Sequence, residues 1–213
     1  MKTPELIAGL AADASPVRPA QADRRFHLKL GIGALLTFAA VLVLMGPRDD
    51  LDTASSLPMF WLKLLFPASL ALAALVGLNR LGHPGIRLGR VPAAVLLAVG
   101  LLWSVAAFVL LDAPAGERLP LVLGQSWLAC SAGIALVSVP AFALAFLAIR
   151  ELAPTRLSLA GAAAGLFAGA AGACAYALHC AEMQAPFLAV WYVLGMLVPM
   201  AAGAILGRRL LRW

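Results

Sequence analysis

The sequence predicts an all-α fold, a polytopic integral membrane bundle of six transmembrane helices with both termini in the cytoplasm, and three observations carry that prediction. The 213 residues are 63% hydrophobic and only 12% charged, a balance that soluble globular domains of this length do not reach. Six apolar segments, at about 26–46, 59–79, 92–111, 125–149, 158–179 and 186–206, each come near the ~20 residues that a spanning helix needs. Basic residues gather on one side of those segments: Lys2, Arg18, Arg24, Arg25 and Lys29, then Arg80, Arg87 and Arg90, then Arg150 and Arg156, then Arg208, Arg209 and Arg212, thirteen in all against Arg48 and Arg118 on the other. The positive-inside rule turns that bias into an orientation. The net charge of +6 therefore reports topology and contact with the lipid bilayer, and no nucleic-acid partner is expected.

Taken in order, residues 1–25 form a polar cytoplasmic tail. Thr3 followed by Pro4 is a helix-start pattern, and Leu6, Ile7 and Leu10 make a short apolar stripe before the Pro16 and Pro19 segment stops the helix. The tail is not a secretory signal, because its apolar region begins too late. Residues 26–207 make the six-helix transmembrane domain and 208–213 a cytoplasmic C-terminus. Short connecting loops predict that sequential helices are antiparallel neighbours. Pro67, Pro140 and Pro199 are expected to kink their helices, and Gly195 with Pro199 marks a flexible point in the last one. The fifth segment is the organising element. Its glycines at Gly161, Gly165 and Gly169 recur every four residues and share one helix face, where a neighbouring backbone can approach closely.

The far end of that segment carries His179, Cys180 and Glu182, a dense cluster of ligand and ionisable types. From the loop at about 150–157, Cys130 lies 20 residues back from Arg150 and Cys180 lies 22 residues on from Ser158, so at ~1.5 Å per residue both rise ~30 Å and reach one level near the outer face. Two readings stand there. The pair is a redox or thiophilic-metal sensor, with His179 and Glu182 as additional ligands, or the cysteines are small apolar packing residues. Cys174, six residues before Cys180, falls deeper and on another face. Lys63 sits just inside the second segment, either as a snorkelling anchor beside interfacial aromatics or as the partner of an outer carboxylate.

Transport has no obvious carrier, since no other ionisable residue sits centrally in a span. Catalysis has no phosphate-cradling glycine loop, no HExxH and no nucleophile–base pair, so the chain is not expected to be an enzyme, and no obligatory cofactor is expected. A small metal or solute transporter and a structural subunit of a membrane complex remain the alternatives.

Several stretches together have a familiar pattern: Met1-Lys2-Thr3 leading to Leu6-Ile7, Phe60-Trp61-Leu62-Lys63, Gln125-Ser126 with Cys130, Leu178-His179-Cys180 with Glu182, Trp191-Tyr192 with Leu194-Gly195, and Leu210-Leu211-Arg212-Trp213. Over its whole length the chain resembles the NrsF-type family of six-helix bacterial membrane proteins, negative regulators of extracytoplasmic-function sigma factors. The resemblance implies an anti-sigma factor that holds its sigma factor at the inner membrane and releases it under oxidative or heavy-metal stress. The family's paired cysteines carry over to Cys130 and Cys180, with a thiophilic metal ion as one form of the signal, while Cys174 has no counterpart. The tail, with Leu6, Ile7 and Leu10, corresponds to the family's sigma-contacting segment, and the basic loops around Arg80–Arg90 and Arg150–Arg156 share that contact.

Overall fold

A computed structural model of the chain describes residues 3–13, 19–152 and 154–212; Lys2, Pro16, Arg18 and Trp213 lie outside them. The chain's surplus of apolar residues is resolved by turning many of them outward: Val43 is 81% and Phe108 73% exposed. Such a surface suits hydrocarbon and not water, and in hydrocarbon every backbone polar group must be satisfied within the chain. Helices are the local answer. The described residues form α1 (Thr3–Asp13), α2 (Pro19–Leu44), α3 (Leu51–Ser55), α4 (Pro58–Gly82), α5 (Val91–Asp112), α6 (Arg118–Leu123), α7 (Trp127–Val137), α8 (Val139–Arg150), α9 (Leu157–Ala177), α10 (Ala185–Phe187), a π-helical turn (Leu188–Tyr192) and α11 (Val193–Leu210). Six helical segments, Gln21–Leu44, Pro58–Gly82, Val91–Asp112, Arg118–Arg150, Leu157–Ala177 and Ala185–Leu210, are long and apolar enough to cross a membrane. The fold is all-helical among the described residues.

Helix α9 is the hub, with every residue from Phe167 to Ala177 buried. It packs on α11, α4, α8, α2 and α7. Its closest partner is α11, and the contact is made by glycines on both sides. A Cβ on Gly161 would stand 2.0 Å from the Gly203 carbonyl oxygen, one on Gly165 2.0 Å from that of Pro199, and one on Gly207 2.4 Å from that of Leu157. Gly169 closes the row against Met196 and Pro199. Between membrane helices there is little hydrophobic drive, so close backbone approach and dispersion hold them. The Gly161, Gly165 and Gly169 face is therefore where the spacing places it, and Gly203 with Gly207 forms the matching half.

Four expectations are corrected. The first span starts earlier than residue 26: α1 ends at Asp13, ahead of the Pro16 and Pro19 segment as expected, and Pro19 opens α2, where a missing N–H costs nothing, so that span takes in Arg24, Arg25 and Lys29. The first span does not pair mainly with the second; α2 packs on α8 and α9 instead. The fourth span begins at Arg118 and comes in three pieces, broken at Gly124–Ser126 and again at Ser138. Gly124 has φ +57°, a conformation that favours glycine. Beside Ser138, Pro140 follows one residue into α8, whereas Pro67 and Pro199 stay inside continuous helices. The irregular part of the last span is the π-helical turn, ahead of Gly195, which packs against Ile134.

The break at Ser138 is stitched from outside. The buried Thr37 hydroxyl of α2 accepts a hydrogen bond from the Ala141 N–H at 3.3 Å, with Gly33 one turn earlier against Ala141 Cα. On the opposite side Gly172 of α9 admits Ile134 and Ser138. At one end of the bundle, Phe26, Leu81, Ile149, Phe167 and Leu211 form one buried cluster, and Lys29 pairs with Glu151. The start of the first span, at Phe26, and the end of the last, at Leu211, lie there, as six spans require. The other end holds the cysteines.

Replacing Gly165 by Val forces α9 and α11 apart and is expected to cost at least about 1–3 kcal/mol in detergent. Gly100→Ala, on exposed α5 with nothing within 4 Å of the new Cβ, is expected to be neutral or stabilising by up to about 1 kcal/mol. Thermal unfolding of both variants checks the contrast, and equal midpoints would remove the glycine seam.

Candidate functional site

Beyond Ala177 the chain leaves the helix and runs through Leu178–Gln184 before α10 begins. Carbonyls just past a helix end have lost their intrahelical partners and need donors from elsewhere. Two neighbouring elements supply them, and a third is tied to the loop the other way round. From the end of α2, the Arg48 N–H donates to the Leu178 carbonyl at 3.0 Å, and the His179 Nδ1 meets the Gly46 carbonyl oxygen at 3.0 Å. From α4, the Lys63 ammonium donates to the carbonyls of Cys180 at 2.6 Å and Glu182 at 2.8 Å. In the third case the loop gives the acceptor: Glu182 Oε1 receives the Gln125 N–H at 2.7 Å and the Ser126 hydroxyl at 3.4 Å, which places a carboxylate at the start of α7. There it also faces the positive end of that helix.

Within this clasp Cys130 of α7 and Cys180 meet, their sulfurs 3.2 Å apart and not covalently joined. The shared level derived from helix rise is what the structure displays. Cys130 is 1% exposed and Cys180 5%. Ser126 Oγ lies 3.4 Å from the Cys130 sulfur, four residues before it on the same helix. Cys174 is turned elsewhere, toward the Leu64 carbonyl of α4 at 3.8 Å. Among the described residues no group of three or more His, Cys, Asp or Glu side chains gathers as a metal site would. His179 and Glu182 flank the pair in sequence but are bound to Gly46 and Gln125.

Lys63 takes neither of its two expected roles. It is 1% exposed, so it does not snorkel to an interface, and among the described residues no carboxylate lies within 4.0 Å of its ammonium. Its partners are main-chain oxygens, and it also stands 5.3 Å from the centre of the Tyr192 ring. Arg48 is instead the residue with the carboxylate: its guanidinium holds Asp50 through two bonds of 2.6 Å, and that pairing keeps the Asp50 carboxyl below the usual carboxylate range. The Cys180 thiol is likewise held below its ordinary range. The hydrogen bond with the Cys130 sulfur is the main cause, burial opposes, and the Lys63 charge and the Glu182 N–H assist.

Sequence reasoning missed the two tyrosines of the site. Tyr176 hydroxyl donates to the Ala129 carbonyl at 3.4 Å beside Cys130. Tyr192 is fully buried, and its hydroxyl makes no hydrogen bond in good geometry. The chain has two tyrosines, and their placement at the level of the cysteines was the available signal. The π-helical turn that delivers Tyr192 is tied down by Trp103, whose indole donates to the Ala189 carbonyl at 3.1 Å, and by Ser131, which donates to that of Trp191 at 3.0 Å. The apolar candidates of the tail lie far along the sequence from this site: Leu6 and Ile7 are exposed on α1, and the Leu10 side chain lies outside the described residues.

Oxidation of the reduced, purified protein is expected to join Cys130 to Cys180 and leave Cys174 free, so titratable thiols fall from three to one. Peptide mapping identifies the bridge. Three thiols persisting after oxidant would contradict the placement of the pair.

Comparison with known proteins now adds to the geometry. The chain is 46% identical over its full length, and over all of the other chain, to the probable anti-sigma-F factor NrsF of Azospira oryzae. It is 40% identical, again with both chains covered completely, to the anti-sigma-F factor NrsF of Caulobacter vibrioides. No solved structure matches it. The model of the NrsF family, described as negative regulator of sigma F, matches residues 10–213, and the chain belongs to that family.

Proposed function

We propose that this chain is an inner-membrane anti-sigma factor that holds an extracytoplasmic-function sigma factor at its basic, cytoplasmic end and releases it when Cys130 and Cys180 are oxidised to a disulfide near the periplasmic face. Family membership supports negative regulation of a sigma factor. The observation that carries the finer reading is the contact of two thiols from different spans, 3.2 Å apart, in a loop that three other elements clasp. Oxidation removes one hydrogen from each thiol, transfers two electrons to the oxidant and forms one S–S bond. That the side chains of His179 and Glu182 have other partners supports thiol oxidation over a metal site.

The basic bias of the opposite end supports its cytoplasmic assignment. In the tail, α1 exposes Leu6 and Ile7, and a helix this short needs a partner to be stable. Moving a sigma factor from mostly bound to mostly free takes about 5 kcal/mol of differential interaction. A covalent bond between spans is on that scale, and one altered hydrogen bond is not.

Replacing both Cys130 and Cys180 by Ser is expected to leave sigma capture intact and abolish induction of a sigma-dependent reporter by a thiol oxidant. Cys174→Ser is expected to behave as wild type. An unchanged response in the double variant removes the sensor. Loss of capture on replacing Leu6 and Ile7 by Asp, read by co-purification, checks the tail contact.

A further inference from the structure

A buried ammonium needs an anion or a full set of donors' partners, and the surroundings of Lys63 offer few. Its two hydrogen bonds go to neutral carbonyls, and among the described residues no carboxylate is within 4.0 Å. Glu182 contributes only its main chain, because its carboxylate is taken by Gln125 and Ser126. An isolated charge in such a place is costly. With the Glu182 carboxylate engaged elsewhere, the ionisable group left on the residues that Lys63 holds is the Cys180 thiol, whose own carbonyl it meets at 2.6 Å.

We infer that the two thiols are not equivalent: Cys180 is the nucleophile, Lys63 is the positioning residue that keeps its sulfur anionic, and Cys130 is the proton donor and second thiol. The groups around Cys180 fit those roles. The Cys130 sulfur of α7 lies 3.2 Å from the Cys180 sulfur, where its thiol can donate; Lys63 of α4 and Arg48, whose Nζ and Nη1 stand 2.6 and 3.4 Å from the Cys180 carbonyl oxygen, bring positive charge to the same residue. Tyr192 from the π-helical turn brings a buried hydroxyl with no other partner, which an anionic sulfur would satisfy. Tyr176 points its hydroxyl at Ala129 and stays on the Cys130 side. Cys180 is also the less buried of the two.

The site then takes small, uncharged electrophiles directed at sulfur, since the pair is surrounded by Leu102, Phe187, Leu188 and other apolar side chains that would not solvate an anionic reagent. With an alkyl methanethiosulfonate, the Cys180 thiolate attacks the sulfenyl sulfur, the S–S bond of the reagent breaks and methanesulfinate leaves. The Cys130 thiol then attacks the mixed disulfide, expels the alkanethiol with the proton, and closes the Cys130–Cys180 bond. This assignment deepens the sensor reading by naming which thiol meets the signal first.

The test is competitive labelling of the reduced full-length protein in detergent with iodoacetamide, quenched over a pH series and mapped by peptide mass spectrometry. At pH 7 Cys180 is expected to react about tenfold faster than Cys130, and its rate to persist as pH falls below the ordinary thiol range. Lys63→Met, nearly isosteric but uncharged, is expected to slow Cys180 about tenfold at pH 7 and move its profile to higher pH. Tyr192→Phe, which keeps the ring, is expected to shift the profile in the same direction by less. Cys130 reacting first, or equal rates at the two thiols in the wild type, overturns the assignment even where Lys63→Met does not fold. A Lys63→Met profile superposing on wild type overturns the role of Lys63. The regulatory reading fails separately: a Cys180 preference with an unchanged reporter response in the Cys130/Cys180 double variant removes the sensor and leaves the nucleophile.

Discussion

The Leu178–Glu182 loop depends on one requirement: carbonyls released at the end of α9, at a depth with little water, must find donors. Lys63 meets two of them and Arg48 a third. A cation is thus drawn into the bundle to satisfy main-chain oxygens, and it arrives beside a sulfur. The same loop returns the favour to α7 by setting Glu182 at its N-terminus, so the helix bearing Cys130 and the loop bearing Cys180 are fixed to each other by bonds that involve neither thiol. The sulfur contact is a consequence of that bracing.

The bracing would have little value on a mobile frame, and the glycine seam supplies the rigid one. Gly161, Gly165, Gly203 and Gly207 bring α9 and α11 to backbone contact. α11 is continuous with the π-helical turn that carries Tyr192, and α9 carries Tyr176 and leads to Cys180. Both tyrosines therefore stand on the seam, while Cys130 stands on the broken span outside it. Of the two sulfurs, one follows directly on the frame and the other stands on the span packed against it.

Much of this was legible in the sequence, and the reason is geometric. Helical rise fixes height, so counting from Arg150 and Ser158 was enough to bring Cys130 and Cys180 to one level. Helical period fixes face, so four-residue spacing was enough for Gly161, Gly165 and Gly169. What was hidden involves groups that every residue has. Lys63 looked as if it wanted a carboxylate because side chains are what a sequence displays, but its partners are the backbone oxygens of Cys180 and Glu182. The pairing of α2 with α8 was hidden for a similar reason: it rests on Gly33 and Thr37 meeting the chain at Ala141, small residues that mark a contact without naming the partner. Loop shortness pointed instead to α4. Pro140 did mark the break of the fourth span, whereas Pro67 and Pro199 lie inside continuous helices.

The break at Ser138 bears on how a bond at one end reaches the other. If α7 and α8 were one rigid rod, drawing Cys130 toward Cys180 would have to tilt the whole span against α2 and α9, at the cost of contacts along its length. With the rod divided at Ser138, Thr37 holds Ala141 at the start of α8. The path from Cys130 to the basic end runs through α8 to Arg150 and to Glu151, which pairs with Lys29 on α2. Because α2 follows directly on the tail that bears α1, the proposed release is best looked for where the first and fourth spans meet at the basic end. The α9–α11 seam, with no room for a methyl group, has nowhere to move.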